Sequence, residues 1–174
     1  MLVLYSIIDS IREFIELGGD VLWAIMLVVL LMWTLILERI WYFYKVYPAE
    51  RKQVVSSWDS RSDTTSWFAK GIREQMISDA AMKLKQNVGM IKALIAICPL
   101  LGLLGTVTGM VGVFDVMTYA GSSNARAMAD GVSKATIPTM AGMVAALSGV
   151  YFGTFLERKA SAEAEQLEDL LQSH

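Results

Sequence analysis

The sequence predicts an all-α integral membrane protein: three transmembrane helices, the N-terminus outside, and the second and third helices extended into the cytoplasm. Three observations predict it. Charge-free runs cover Val21 to Leu37, Ala93 to Phe114 and Ala135 to Leu156, of 17, 22 and 22 residues. At about 1.5 Å of rise per residue the longer two reach about 33 Å, enough for a hydrocarbon core of roughly 30 Å. The composition is 55% hydrophobic and 18% charged, with mean hydropathy +0.46, against roughly 25% charged residues in soluble domains. The basic residues are also asymmetric. Only Arg12, Arg126 and Lys134 precede the first run or separate the last two, whereas the other twelve of the 15 lie from Arg39 to Lys92 or at Arg158 and Lys159. The positive-inside rule places the richer side in the cytoplasm. Three buried helices of a soluble protein are the competing reading, and 174 residues hold too little polar chain to enclose them.

The first segment, 1-19, is amphipathic. Leu4, Ile7, Ile8, Ile11, Phe14 and Ile15 recur at helical spacing opposite Asp9, Arg12, Glu13 and Glu16, and Gly18-Gly19 breaks the pattern. It lies flat on the outer interface or packs on the bundle. Its first positive charge follows apolar residues and no small-x-small cleavage site comes after the first span, so it is expected to be retained. The first span, 20-44, closes on Trp41, Tyr42, Phe43 and Tyr44, with Tyr47 after them, rings suited to the inner interface. Pro48 then turns the chain. A cytoplasmic loop with a helix occupies 45-91. Residues 49 to 67 are polar, Ser60 to Ser66 read as loop, and Trp58 and Trp67 as aromatics packed under a neighbouring helix. From Ile72, the positions Met76, Ala80, Leu84, Val88 and Ile91 form the apolar face of a helix running into span two, 92-116. An outer loop, 117-133, leads to span three, 134-156. In the cytoplasmic helical tail, 157-174, Ala160, Ala164, Leu167 and Leu171 make a packing seam.

One Cys and one His exclude a disulfide framework and a four-Cys zinc site, and a net charge of -2 gives no drive toward nucleic acid. No Ser/His/Asp set, metal cluster or phosphate loop is present, so no enzyme, metal or cofactor is expected. Cys98 reads as a small packed residue and His174 as inert. Gly102, Gly105, Gly109 and Gly112 fall on one face of span two, and Gly142, Ala145, Gly149 and Gly153 on one face of span three, patterns that allow close helix packing. Thr106, Thr108, Thr136 and Thr139 are the hydroxyls nearest those faces. Each can bond its own helix one turn back, or Thr106 and Thr139 together can line a wet path. Pro99 and Pro138 read as helix kinks. The acidic groups near the spans, Asp20, Glu38, Asp115 and Glu157, all stand at the ends, and no carboxylate occupies a span interior. A proton relay normally needs one there. The chain therefore either moves no protons or borrows its titrating group from a partner inserted among its helices.

The run Pro99-Leu-Leu-Gly-Leu-Leu-Gly-Thr-Val-Thr-Gly109, followed by Gly131-Val-Ser-Lys-Ala-Thr-Ile-Pro-Thr-Met-Ala-Gly-Met-Val-Ala-Ala146, resembles the MotA/TolQ/ExbB proton-channel family, most closely its ExbB branch, over about residues 92 to 160. The resemblance implies a multi-pass protein of the bacterial inner membrane, its outer side the periplasm. It implies a homo-oligomeric ring, commonly a pentamer, whose second and third helices surround a one-span ExbD-like protein carrying the missing Asp. That complex uses the inward proton gradient to drive a TonB-like transducer of outer-membrane transport, with membrane lipid around it. Thr106 matches the pore threonine of the GLLGTV motif and Thr139 that of the third-helix pattern. Lys134 departs from the family, standing where a Glu is usual. With Thr106 and Thr139 at equal depth, Asp115 lies nine residues further out and Lys134 five, about 13 and 7 Å by helical rise. A long Lys side chain spans the difference, so an Asp115 to Lys134 contact is expected near the periplasmic mouth, within or between subunits, with snorkelling of each to water as the alternative. A TolQ-like subunit of the Tol-Pal envelope system and a non-conducting scaffold are the other functional readings. Stators of the MotA type have a fourth span and a larger cytoplasmic domain, and match less well.

Overall fold

The computed structural model describes the backbone of residues 2–64, 66–120 and 125–172, and the side chains of these except 2–18, 120, 125, 127 and 172. The amphipathic face expected over 1-19 and His174 lie outside the described side chains. The described elements are all helical: α1 (Leu2–Trp41), a π-helical turn (Tyr42–Val46), α2 (Tyr47–Asp59), α3 (Trp67–Lys85), α4 (Val88–Ala120) and α5 (Ala125–Gln172). Three stretches, Gly19–Asp59, Trp67–Tyr119 and Met128–Leu171, are long and apolar enough to cross a membrane.

Local chemistry explains the boundaries. Gly19 interrupts α1 with φ 64 and ψ -164, a backbone conformation that glycine adopts without a Cβ clash. Pro48 has no N–H to offer Tyr44 and its ring crowds that carbonyl. The turn before it widens, and the Tyr47 N–H reaches the Tyr42 carbonyl five residues back. Pro48, expected to turn the chain, instead occupies the first turn of α2, where a missing N–H costs nothing. The polar stretch from residue 49 is consequently helical to Asp59. Ser66 caps α3, its Oγ accepting the Ala69 N–H at 3.1 Å, and Asp63 accepts the Ser66 N–H at 3.1 Å. The helix expected to run into span two does so with a break at Gln86 and Asn87. Asn87 takes φ 61, which Asn tolerates better than most residues. The outer loop expected over 117-133 is largely helical, because α4 continues to Ala120 and α5 begins at Ala125. The sequence Ala-Arg-Ala-Met-Ala from 125 is rich in helix formers and has no breaker.

The chain divides into two units, one of Met1–Met32 and Ala93–Val150, the other of Trp33–Lys92 and Tyr151–His174. In the first, Leu22, Ile25 and Met32 of α1, Ile95, Cys98 and Val113 of α4, and Ala135 and Ala146 of α5 are buried. Leu100, Leu103, Val107, Met143, Val144 and Leu147 are exposed, so the charge-free stretches of α4 and α5 are apolar on their outer as well as their packed faces, as helices surrounded by lipid or other helices must be.

In the second unit, Trp58, Ala69, Leu167 and Leu171 form a core extended by Val54, Val55, Met76, Ile77 and Ala80. Ala160, Leu167 and Leu171 of the expected seam are buried and Ala164 half-buried. Trp58 packs as expected, but Trp67 does not: it is 80% exposed and meets Phe68 edge-on at 5.3 Å. Two residues before the buried Ala69, Trp67 points about 200° around the helix from it. Arg39 is 2% exposed. Its guanidinium donates to the Lys83 carbonyl at 3.1 Å, lies 3.2 Å from the Glu38 carboxylate and 5.0 Å from the Tyr42 ring centre. Asn87 donates to the same Glu38 at 3.4 Å, which ties the α3–α4 break to the end of α1.

Candidate channel site

The candidate site stands on the antiparallel contact of α4 with α5 in the first unit. A Cβ on Gly102 would lie 2.9 Å from Thr139 Cα, and one on Gly109 2.7 Å from Ala135 Cα. A Cβ on Gly105 would clash with the Pro138 ring. Further along, the roles reverse. Gly142 receives Cys98, whose carbonyl oxygen would be 2.5 Å from the added atom, and Gly149 receives Ile95 at 2.7 Å and Met32 at 2.6 Å. At Gly142 glycine also faces glycine, an added Cβ standing 3.3 Å from the Gly102 Cα. Each gap on one helix is filled by a side chain or backbone of the other, which is what close packing without voids requires.

Hydroxyl placement follows from that register. Thr139 Oγ1 donates across the interface to the Gly102 carbonyl at 2.8 Å. Thr106, Thr108, Thr136 and Ser148 each donate back into their own helix, to Leu103 at 2.6 Å, Leu104 and Gly105 at 3.1 Å, Ser133 at 2.9 Å and Ala145 at 2.7 Å. Thr139 is level with Gly102, so Thr106 lies one turn, about 6 Å, further along α4. The small residue opposite Thr139 is Gly102, and Thr106 is half-buried beside that contact. Both oxygens have committed their proton to a carbonyl and present lone pairs alone. They can accept a hydrogen bond from a protonated carboxyl, a hydronium or a water.

The axial gap between Asp115 and Lys134 is close to the one their spacing implies. Gly109 faces Ala135, so Asp115 stands six residues beyond the contact and Lys134 one, a gap of about 7 Å by helical rise. Both are exposed, and among the described residues no ion pair joins them. Within one chain the two side chains stand apart, which leaves both expected alternatives, the contact between subunits and the snorkelling of each to water. Gly112 also leaves the stripe: it is exposed, a Cβ there meets nothing within 4 Å, and Val113 takes the packing position. Gly153 is buried, in the second unit.

A model of the MotA/TolQ/ExbB proton channel family matches residues 48–169 of the 174. This chain belongs to that family. It is 38% identical over 68 residues to a biopolymer transport protein, ExbB-like 1, of Synechocystis sp., a match covering 37% of this chain and 27% of the relative. It is 34% identical over 71 residues to ExbB-like 3 of the same organism, covering 40% and 34%. The chain thus spans about a quarter to a third of the curated relatives it matches. No solved structure matches it.

For this MotA/TolQ/ExbB member, two residues of the α4–α5 contact escape a reading by spacing alone. Gly131 accepts the Val113 side chain, and it lies eleven residues, three helical turns, before Gly142 on the same face. Its place in an expected loop hid that signal. Pro138 acts as a buried knob against Gly105 as well as a kink, and no periodicity announces a proline used that way. Where α4 and α5 leave the apolar spans, Lys92 and Glu157 pair at 2.6 Å, both about half exposed.

Proposed function

We propose that the chain is an ExbB-like subunit of an inner-membrane proton-driven motor. In this reading the N-terminus is periplasmic, as the basic-residue asymmetry favours. Copies of the chain assemble into a homo-oligomeric ring, a pentamer by family analogy, around an ExbD-like one-span partner, and the work passes to a TonB-like transducer. The observation that carries the reading is a pair of acceptor-only hydroxyls, Thr106 and Thr139, on helices without any interior carboxylate. A neutral carboxyl entering that region finds acceptors for its O–H. An ionised one finds no donor and a poor solvent. Both effects raise the pKa of the visiting acid and favour its loaded form while it sits between the helices. Asp115 and Lys134, exposed near the outer ends, are assigned to contacts between neighbouring subunits, and Gly112, open on its own face, to the same surface.

Proteoliposomes holding the chain with its one-span partner test this. Thr139→Val removes the donor and acceptor but keeps the shape, and assembly should survive. Proton flux driven by an inward gradient should fall by on the order of tenfold or more, as expected for a lost proton-handling group. Thr139→Ser should retain most of it. Flux unchanged in Thr139→Val and Thr106→Val would leave the chain as a non-conducting scaffold.

A further inference from the structure

The second unit carries a groove that the channel reading does not use. It has a volume of about 490 Å³ and runs between the π-helical turn with α2 on one side and the tail of α5 on the other. Phe43, Val55 and Leu170 give it apolar walls, and Arg51, Lys52 and Lys159 its cations. Lys159 is held by ring faces: its Nζ lies 4.1 Å from the ring centre of Tyr44 and 5.7 Å from that of Phe43. Among the described residues no carboxylate pairs with Lys159 or with Lys52. The distinction matters because an ion pair cancels charge, whereas a neutral ring orients a cation and leaves its charge for another anion.

Two acids also line the groove. Glu163 is engaged, its carboxylate 3.4 Å from Arg51 and its backbone carbonyl accepting the Tyr47 hydroxyl at 3.2 Å. Asp59 is the last residue of α2, about 10 Å of rise beyond Lys52 and further still from the aromatic run. The end of the groove nearest the apolar spans is therefore net positive. Its depth can be placed as well. Lys159 follows Leu156, the last residue of the third apolar run, by about 4.5 Å of rise, and Phe43 and Tyr44 belong to the aromatic run that ends the first span. A headgroup layer is about 5–7 Å thick on each side of the hydrocarbon, so Lys159 emerges inside it.

We propose that this groove seats an anionic phospholipid of the leaflet at that end of the spans. Its phosphate faces Lys159 and Lys52, and the start of an acyl chain lies along Phe43 and Val55. Basic pockets between helices at a membrane face suit such headgroups, and each cation near the surface contributes about fivefold in binding. The inference needs a chain embedded in a bilayer and stands whether or not protons pass through it.

The test uses the full chain in phosphatidylcholine vesicles with a minor fraction of spin-labelled phosphatidylglycerol or, in parallel, spin-labelled phosphatidylcholine. Motionally restricted lipid is read by electron paramagnetic resonance. Phosphatidylglycerol should be favoured, on the order of tenfold, and the preference should collapse in the double variant Lys52→Gln/Lys159→Gln. It should persist in Lys159→Arg. It should also persist in Lys70→Gln/Lys85→Gln, which removes two exposed lysines of the same unit outside the groove. Equal restriction of the two lipids by the unmodified chain would overturn the proposal, as would the same loss in both double variants, which would mark general charge attraction. Displacement of the labelled lipid by millimolar inorganic phosphate would assign the groove to a soluble anion instead and remove the lipid.

Discussion

Gly102, Gly109 and Gly142 in the unit of Met1–Met32 and Ala93–Val150 hold backbones so near that an added methyl group would lie 2.9, 2.7 or 2.5 Å from atoms across the contact. In the unit of Trp33–Lys92 and Tyr151–His174 the reverse device operates: the large ring of Trp58 fills a core with Leu167 and Leu171, and the same unit carries charged pairs, Arg51 with Glu163 and Lys92 with Glu157. The difference teaches what each environment rewards. Lipid tails are as apolar as leucine, so helices inside a bilayer gain little by burying apolar area and depend on close approach and on hydrogen bonds such as Thr139 to Gly102. Outside it, removing apolar rings from water is the driving force, and ion pairs are cheap to keep at the surface.

The largest expected effect lies in the second unit. Trp58→Ala should destabilise it by about 3–5 kcal/mol, the usual result of emptying an aromatic core site. Hydrogen exchange of α2 and α3 would report it, and near-native protection in those helices would mean that Trp58 is not the core. Next comes the glycine contact. Gly142→Ala should cost about 1–3 kcal/mol, since the added carbon meets a backbone carbonyl that cannot yield locally. Gly71→Ala in α3, with open space around it, should stabilise by up to about 1 kcal/mol. Thermal unfolding in detergent compares the two, and equal effects would remove the contrast between the units. Gly112→Ala sharpens it further: the fold should be indifferent, so a defect appearing only in oligomer assembly would locate that glycine between subunits. Thr139→Val should lower stability by only about 0.6 kcal/mol, typical of a hydrogen bond between membrane helices, far less than its effect on flux. Trp67→Ala should likewise change stability by less than about 0.5 kcal/mol, because its ring is in contact with solvent and Phe68 rather than the core. A larger loss on guanidine melts would show that α3 is anchored at its first turn.

Much of the molecule is legible from residue order because its strongest signals are local. Charge-free runs of bilayer length, the glycine faces, the break near Gly19 and the seam from Ala160 to Leu171 each follow from composition or period within one helix. Residues whose role depends on a neighbour were harder to read. Pro48 looks like a turn until the π-helical turn before it absorbs the misfit. Trp58 and Trp67 look equivalent, and only the direction in which α2 and α3 present them separates a core ring from an exposed one. Thr106 and Thr139 likewise look equivalent, and only the packing of α4 on α5 sends the Thr139 hydroxyl across to Gly102 while that of Thr106 turns back into its own helix.

Residue order alone determined a greasy three-span chain of a proton-channel family with no acid of its own at mid-depth, because hydrophobicity, charge and glycine spacing are properties of each segment by itself. The tertiary structure decided which glycine faces which knob, that the Thr139 hydroxyl crosses between helices while that of Thr106 does not, and that Lys159 is held on aromatic faces. Axial register between two helices is set by the interlocking of many small contacts, and no single segment contains that information.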